Sequence, residues 1–247
     1  MRKITTAFIV SIIATTLPAC GDKVAEKQAT TTRPNLSDIT SEKNAAAIRA
    51  AAVQAATPKA DKSTPPENYI ELNSGNQLMF AYLGLMNTPP DYKEIADQYS
   101  KDYARSSDEF KKNDLLEALK PRIDAEIAKA KSSRYVKLSL DRPIEKYDFE
   151  KKAFPLNSSL WEAGSYRYFS DHSAYKLSFS NGDAFRLLKT PTEEEARKIE
   201  SLRAQYRELQ LVVYSFIQDA NPSERSVKAE IVKVVLLDNK GNVLSSQ

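Results

Sequence analysis

The chain has 247 residues, with 36 Lys and Arg against 33 Asp and Glu, one Cys, one His and 6 Gly. So even a charge balance offers no electrostatic footprint for nucleic acid, and none for an acidic lipid surface. A single Cys excludes a disulfide framework within the chain, and the scarcity of Gly leaves little room for phosphate-cradling loops.

The chain opens on Met1-Arg2-Lys3, followed by an uncharged, largely aliphatic run over residues 4–17 that includes Ile9-Val10-Ser11-Ile12-Ile13. A positive start, a short apolar core and a small-residue exit define a secretory signal. A membrane-spanning helix needs about 18 or more apolar residues. This run is shorter, and Pro18 would interrupt its end. The run closes on Leu17-Pro18-Ala19-Cys20, which resembles the lipobox of bacterial lipoproteins. The resemblance implies cleavage before Cys20, a diacylglycerol on its thiol and acylation of its new amino group. Residues 1–19 are then the signal peptide. Lipidation also accounts for a lone Cys in an exported chain, which would otherwise be a reactive orphan thiol. Two or more acyl chains anchor a protein stably where one does not. Gly21 stands where an Asp would resemble an inner-membrane retention signal, so the expected address is the outer membrane, facing the periplasm. Loss of Arg2 and Lys3 leaves 34 basic against 33 acidic residues.

Residues 20–66 are poor in large apolar side chains and carry Pro34, Pro58, Pro65 and Pro66. Such a stretch cannot bury enough surface to offset its ordering entropy, so a lipidated, disordered tether is expected. As a coil it reaches roughly 35–40 Å. Residues 45–56 are Ala-rich enough for a fluctuating helix with no face to dock.

Residues 67–247 read as one domain, helical over 75–132 and sheet-rich over 134–247. Residues 77–86 are apolar nearly all round, as in a buried helix stopped by Pro89-Pro90. Tyr92, Ile95, Ala96, Tyr99 and Tyr103 recur at helical spacing. Ser106 with Glu109 fits a capping box opening a helix that carries Phe110, Leu116 and Leu119. Pro121 is expected to break or kink that helix, or to start a new turn. Ile123 and Ile127 continue the same face.

From Tyr135 the period changes towards two, with clean alternation through Leu140. Residues 144–156 read as a strand with charged outer positions, and Tyr166-Arg167-Tyr168-Phe169 as a short one. Asn181-Gly182 between two apolar runs predicts a β-hairpin. A three-residue loop with Gly182 left-handed pairs Leu177 with Phe185 and Tyr175 with Leu187, which keeps apolar groups on one face. Thr192 and Glu195 form a second capping box, opening a helix with Ala196, Ile199, Leu202 and Tyr206 inward. Residues 209–219 form a central strand, apolar on both faces. A turn at Asn221-Pro222-Ser223-Glu224 returns the chain over 227–237, and Val243-Leu244 adds a last strand. The expected fold class is α+β, N-terminal helices packed on a mostly antiparallel sheet and preceded by the disordered tether.

Asp114-Leu115-Leu116, Leu119-Lys120-Pro121 and Tyr147-Asp148-Phe149 with Phe154-Pro155-Leu156 resemble segments of an uncharacterised family of bacterial exported proteins, a domain of unknown function. The resemblance spans residues 67–247 and implies no activity.

Chemistry is harder to find. His172 is the sole histidine and the one thiol is expected to be lipidated, so no metal or cofactor is expected. Asp171-His172-Ser173 has the letters of a triad, but triad partners meet through the fold and not as sequence neighbours. Glu193-Glu194-Glu195 is what a helix dipole favours at its start. Trp161 with Tyr166 and Tyr168 is the candidate ligand site, since aromatic faces stack on sugar rings. The leading expectation is a non-enzymatic envelope lipoprotein, held to the membrane at Cys20, that binds another envelope protein. The alternatives are a cell-wall or lipid hydrolase acting through carboxylates, and a glycan-binding module built on the aromatic cluster.

Overall fold

The computed structural model describes residues 42–86 and 88–247. The expected signal segment, Cys20 and the first part of the expected tether lie outside the described residues. The helices in chain order are α1 (Glu42–Ala56), α2 (Gly75–Leu85), α3 (Tyr92–Tyr99), α4 (Lys101–Arg105), α5 (Glu109–Ser132) and α6 (Glu193–Ala204). The strands are β1 (Ile70–Glu71), β2 (Tyr135–Asp141), β3 (Ala153–Pro155), β4 (Lys176–Phe179), β5 (Leu187–Lys189), β6 (Leu209–Asn221), β7 (Ser226–Asp238) and β8 (Val243–Ser246). This is an α+β fold with a mostly antiparallel mixed sheet.

The main sheet runs β1-β2-β6-β7-β4, with β8 also on β7, and β3 pairs β5 in a separate ribbon. β6 and β7 are antiparallel over their whole length, from Leu209↔Asp238 to Asn221↔Ser226. Because alternate side chains take opposite faces, Leu211, Val213, Leu236 and Val234 enter the common core. β2 adds Val136, Leu138 and Leu140 to that face and turns Tyr135, Lys137 and Ser139 outward. The apolar α2 packs on α5 and against β4, β6 and β7. Gly84 permits the approach, since a Cβ there would lie 3.0 Å from Lys131 N and 3.2 Å from Ile127 O. Ser74 and Gln77 cap α2 reciprocally.

The opposite face of the sheet is covered by rings. Tyr69 is buried and meets Tyr135 and Tyr214 edge-on at 5.2 and 5.0 Å. The Arg134 guanidinium lies 4.7 Å from the centre of the Phe216 ring and donates to the carbonyls of Ile217 and Gln218, where β6 slips register. The folded region therefore begins before residue 67, contrary to the expected boundary. Gln218 donates to Pro58 O (2.9 Å), Ala60 N–H donates to Glu230 (3.1 Å), and Asp61 N–H donates to the Tyr135 hydroxyl (2.7 Å). A side chain on each strand holds this segment, which composition alone could not show. In α1, Ile48 and Val53 are exposed.

Several local expectations are corrected. The Asn181-Gly182 hairpin does not form. β4 pairs β7 in parallel, Gly182–Phe185 is a 3₁₀ turn, and β5 pairs β3. Asn181 acts as a surrogate peptide on the edge of β7. Its amide donates to Ile231 O (2.9 Å) and its carbonyl accepts from Ile231 N–H (2.8 Å). Gly182 meets the Trp161 backbone, where a Cβ would lie 2.8 Å from the carbonyl oxygen. Close approach, not a positive φ, explains the glycine.

Ser106 is not the cap of α5. Asp108 is, accepting from Phe110 and Lys111 N–H. Pro121 lies inside an unbroken α5, because Leu116 and Leu119 before it and Ile123 after it are buried in one core. That burial offsets the missing hydrogen bond. Phe110 is 87% exposed, since at 3.6 residues per turn it sits about 120° from the Leu116 stripe. The Tyr92–Tyr103 stripe divides at Ser100, whose hydroxyl caps α4. Residues 144–156 turn back on themselves. Asp148 accepts from Glu150 and Lys151 N–H, Lys152 is left-handed, and Phe149 is exposed. Residues 166–169 contribute one isolated bridge, Arg167↔Leu177.

Asn181→Gly separates the two readings of that site. A hairpin turn tolerates Gly there. Loss of the two bonds to Ile231 instead lowers stability by about 2 kcal/mol, read as a drop in the urea midpoint at unchanged slope.

Candidate functional site

The three aromatic residues singled out in the sequence do not form one site. Trp161 is 2% exposed and stacks on Phe179 at 6.1 Å. Its position in a 3₁₀ turn capped by Ser158 points the indole into the core, and its Nε1 has no partner among the described residues. Tyr166 and Tyr168 are about half exposed, with rings 6.5 Å apart, and Lys176 Nζ lies 4.3 Å from the Tyr166 ring. Neither tyrosine makes a ring contact with Trp161 among the described residues. Trp161 is a packing residue because the strand-end loop that carries it folds under Gly182.

Asp171 and His172 serve the fold. The Asp171 carboxylate accepts from Gly75 N–H (2.8 Å) at the start of α2, where helix amides lack partners and favour negative charge. The His172 ring is buried edge-on against Tyr175 at 4.8 Å, with Nδ1 3.3 Å from Asn76 Oδ1. Gly75 is required beneath it, since a Cβ would lie 2.4 Å from His172 O. Arg225 pairs with Glu94 at 2.7 Å and lies near the Tyr175 ring. Burial pushes the imidazole pKa below its ordinary value, against the pull of Asp171.

A cleft lies elsewhere. It has a volume of about 1060 Å³ and opens where β2 ends, β6 begins and β7 turns towards β8. Its charged lining is Asp141, Arg142, Arg203, Arg207, Glu208 and Asp238, with Tyr206 beside them. Two of the six are occupied. Arg203 makes a two-point pair with Glu200, whose carboxyl is held below its usual range by that hydrogen bond. Asp238 accepts from the Asn242 side chain and from Lys240 and Asn242 N–H, which lowers its pKa as well. Asp141, Arg142, Arg207 and Glu208 make no ion pair among the described residues.

Two residues of this cleft have left-handed backbones, Arg142 at φ 49° and Tyr206 at φ 57°. Tyr206 ends α6. Its N–H donates to Arg203 O and that of Arg207 to Leu202 O, the paired bonds of a C-terminal cap whose left-handed position usually holds Gly. Here it holds a tyrosine with 96% of its surface exposed. The expectation that Tyr206 faces inward is therefore corrected, because the helix stops at Ala204 and the cap swings the ring out. Arg142 precedes Pro143, which itself disfavours helical backbone angles. Its N–H donates to Leu209 O at 3.2 Å. Sequence reading missed both residues, since a left-handed non-glycine leaves no compositional mark. The Arg142-Pro143 step is the only local signal.

No family model matches the chain, and neither a curated protein nor a solved structure is significantly similar to it. Among the described residues no helix is long and apolar enough to cross a membrane, and no group of three or more His, Cys, Asp or Glu is placed to hold a metal ion.

Two measurements follow from this geometry. Tyr206→Gly relieves the left-handed strain and raises unfolding stability by about 0.5–1 kcal/mol, the strain relief exceeding the added freedom of the unfolded chain. An unchanged or lower urea midpoint would contradict the cap. For His172, the folded pKa lies below the unfolded one near 6.5. The unfolded chain therefore takes the proton first as pH falls. The stabilisation is complete above pH 6.5 and is lost as pH drops through 6.5 towards the folded pKa. His172→Gln should flatten the fall in stability between pH 7.5 and 5.5 relative to the parent chain.

Proposed function

We propose that this chain is an envelope lipoprotein whose folded domain works by binding. It is held by lipid on Cys20 at the periplasmic side of the outer membrane. The observation that carries the address is Leu17-Pro18-Ala19-Cys20 at the end of a short apolar run behind Arg2-Lys3. A thiol in that position is the acceptor that bacterial lipoproteins use. Two acyl chains with their amide partner give anchoring that one chain does not.

The cleft at the ends of β2, β6 and β7 supports the binding part of the reading. It is open, its surface is polar and apolar in similar measure, and it presents Tyr and Arg, the residue types that most often dominate binding energy. The Tyr166–Tyr168 pair is a smaller surface without Trp161, so the aromatic-platform alternative loses its largest ring. No observation among the described residues favours a hydrolytic carboxylate pair.

Membrane fractionation with mass spectrometry of the N-terminus tests the anchor. The parent chain should sediment with membranes and begin at residue 20 carrying diacylglycerol and an amide-linked acyl group. Cys20→Ser should appear in the soluble fraction or as uncleaved precursor without lipid. A parent chain that begins at any other residue, or that carries no lipid, removes the proposal.

A further inference from the structure

We infer that the cleft at the ends of β2, β6 and β7 takes a small zwitterionic ligand that carries a ring, the class to which short cell-wall glycopeptides belong. This names the ligand of the binding site proposed above and rests on that reading.

Charge is the first argument. Arg142 and Arg207 offer two guanidiniums, and Asp141 and Glu208 offer two carboxylates, all lining one cleft and all without an ion pair among the described residues. A purely anionic ligand meets repulsion from the two acids, and a purely cationic one meets it from the two arginines. A ligand with both a carboxylate and an ammonium satisfies the set. Guanidiniums bind carboxylates through two parallel hydrogen bonds, and carboxylates accept from ammonium and hydroxyl groups.

Backbone geometry is the second. Of the four non-glycine residues with positive φ among the described residues, two line this cleft. Tyr206 occupies a position that Gly fills at lower cost, and its ring is nearly wholly exposed, so neither its backbone nor its packing accounts for it. Strain of this kind gathers at ligand sites, and the inference runs from the observed outlier to the function. The ring has an apolar face for the C–H face of a sugar.

Size is the third. About 1060 Å³ lies just above the usual range for small-molecule sites and has room for a sugar with a short peptide. The second cavity, between β1, α2 and α5, is about 110 Å³ and largely apolar.

Isothermal titration calorimetry on the full chain, purified in detergent, tests this. The probe is a muramyl tripeptide ending in a diamino acid with a free ammonium and a free carboxylate. It should bind at least tenfold more tightly than its N-acetylated form, its amidated form or N-acetylglucosamine. Arg207→Ala and Glu208→Ala should each weaken it about tenfold, the loss of one charge-assisted contact. Tyr206→Gly should weaken it while raising Tm by about 2 °C. Tyr206→Phe should keep the parent affinity. Equal binding of the four probes, no heat with any of them, or undiminished affinity in Tyr206→Gly overturns the inference. A photo-crosslinker at Gln210 that yields one discrete protein adduct, with no heat from the probes, also overturns it while leaving the binding reading intact. A chain without lipid at Cys20 defeats the envelope reading, and the calorimetry still decides the cleft.

Discussion

The folded region is organised by the pairing of β6 with β7. Thirteen residues on each side run antiparallel without interruption apart from two slips of register. Leu211, Val213, Val234 and Leu236 are buried on one face, and Val212, Val235 and Phe216 on the other. A pair of strands that is apolar on both faces cannot leave either to water, because each large aliphatic side chain contributes about 1.5–3 kcal/mol on full burial. Two covers are therefore required. The helical layer of α2 and α5 supplies one. Tyr69, Tyr135 and Tyr214 with the segment at Pro58–Asp61 supply the other.

The far edge of β7 shows how backbone accounting shapes the rest. Each buried N–H and C=O needs a partner, yet no single strand lies along that edge. β4 pairs its first residues in parallel, Ser180 N–H donates to Ala229 O, and the Asn181 side chain takes both groups of Ile231. Gln247 takes Val234 and β8 takes its end. One asparagine joins two short strands that come from different parts of the chain. Its fixed position also draws Gly182 onto Trp161 and buries the indole. The loss of the expected aromatic site and the continuity of the β7 edge are thus one event.

The same pairing creates the cleft. β2, β6 and β7 end together, and the loops that leave them must turn away from a crowded core within one or two residues. Arg142 and Tyr206 make two of those turns with left-handed backbones. The side chains that result point to solvent around a concave surface, with Arg207 and Glu208 adjacent in the chain and Asp141 beside Arg142.

Much of the architecture was legible because it rests on local rules. Period two over Tyr135–Leu140 marked β2, an unbroken apolar run marked β6 as central, and Thr192 with Glu195 marked the start of α6. These signals depend on side chains a few residues apart and survive any tertiary arrangement. The proposed address rests on signals of the same local kind, since the charged start, apolar run and cysteine of residues 1–20 are contiguous. Asn181-Gly182, Pro121 and Trp161 were misread because each obeys a partner far away in sequence. Ile231 overrides a turn preference, burial on both sides of Pro121 overrides a helix breaker, and Gly182 overrides the usual amphipathic use of Trp. The cleft was invisible for the same reason. Its arginines, acids and Tyr206 come from three strand ends and a helix cap, and only the closing of β6 on β2 and β7 brings them to one place. The sequence by itself determined the alternation of helix and strand, because it is written in neighbouring residues, as are the residues on which the proposed export signal rests. Only the tertiary structure decided which aromatic rings are buried and which charges face one another, because those follow from contacts between residues that are not neighbours in the sequence.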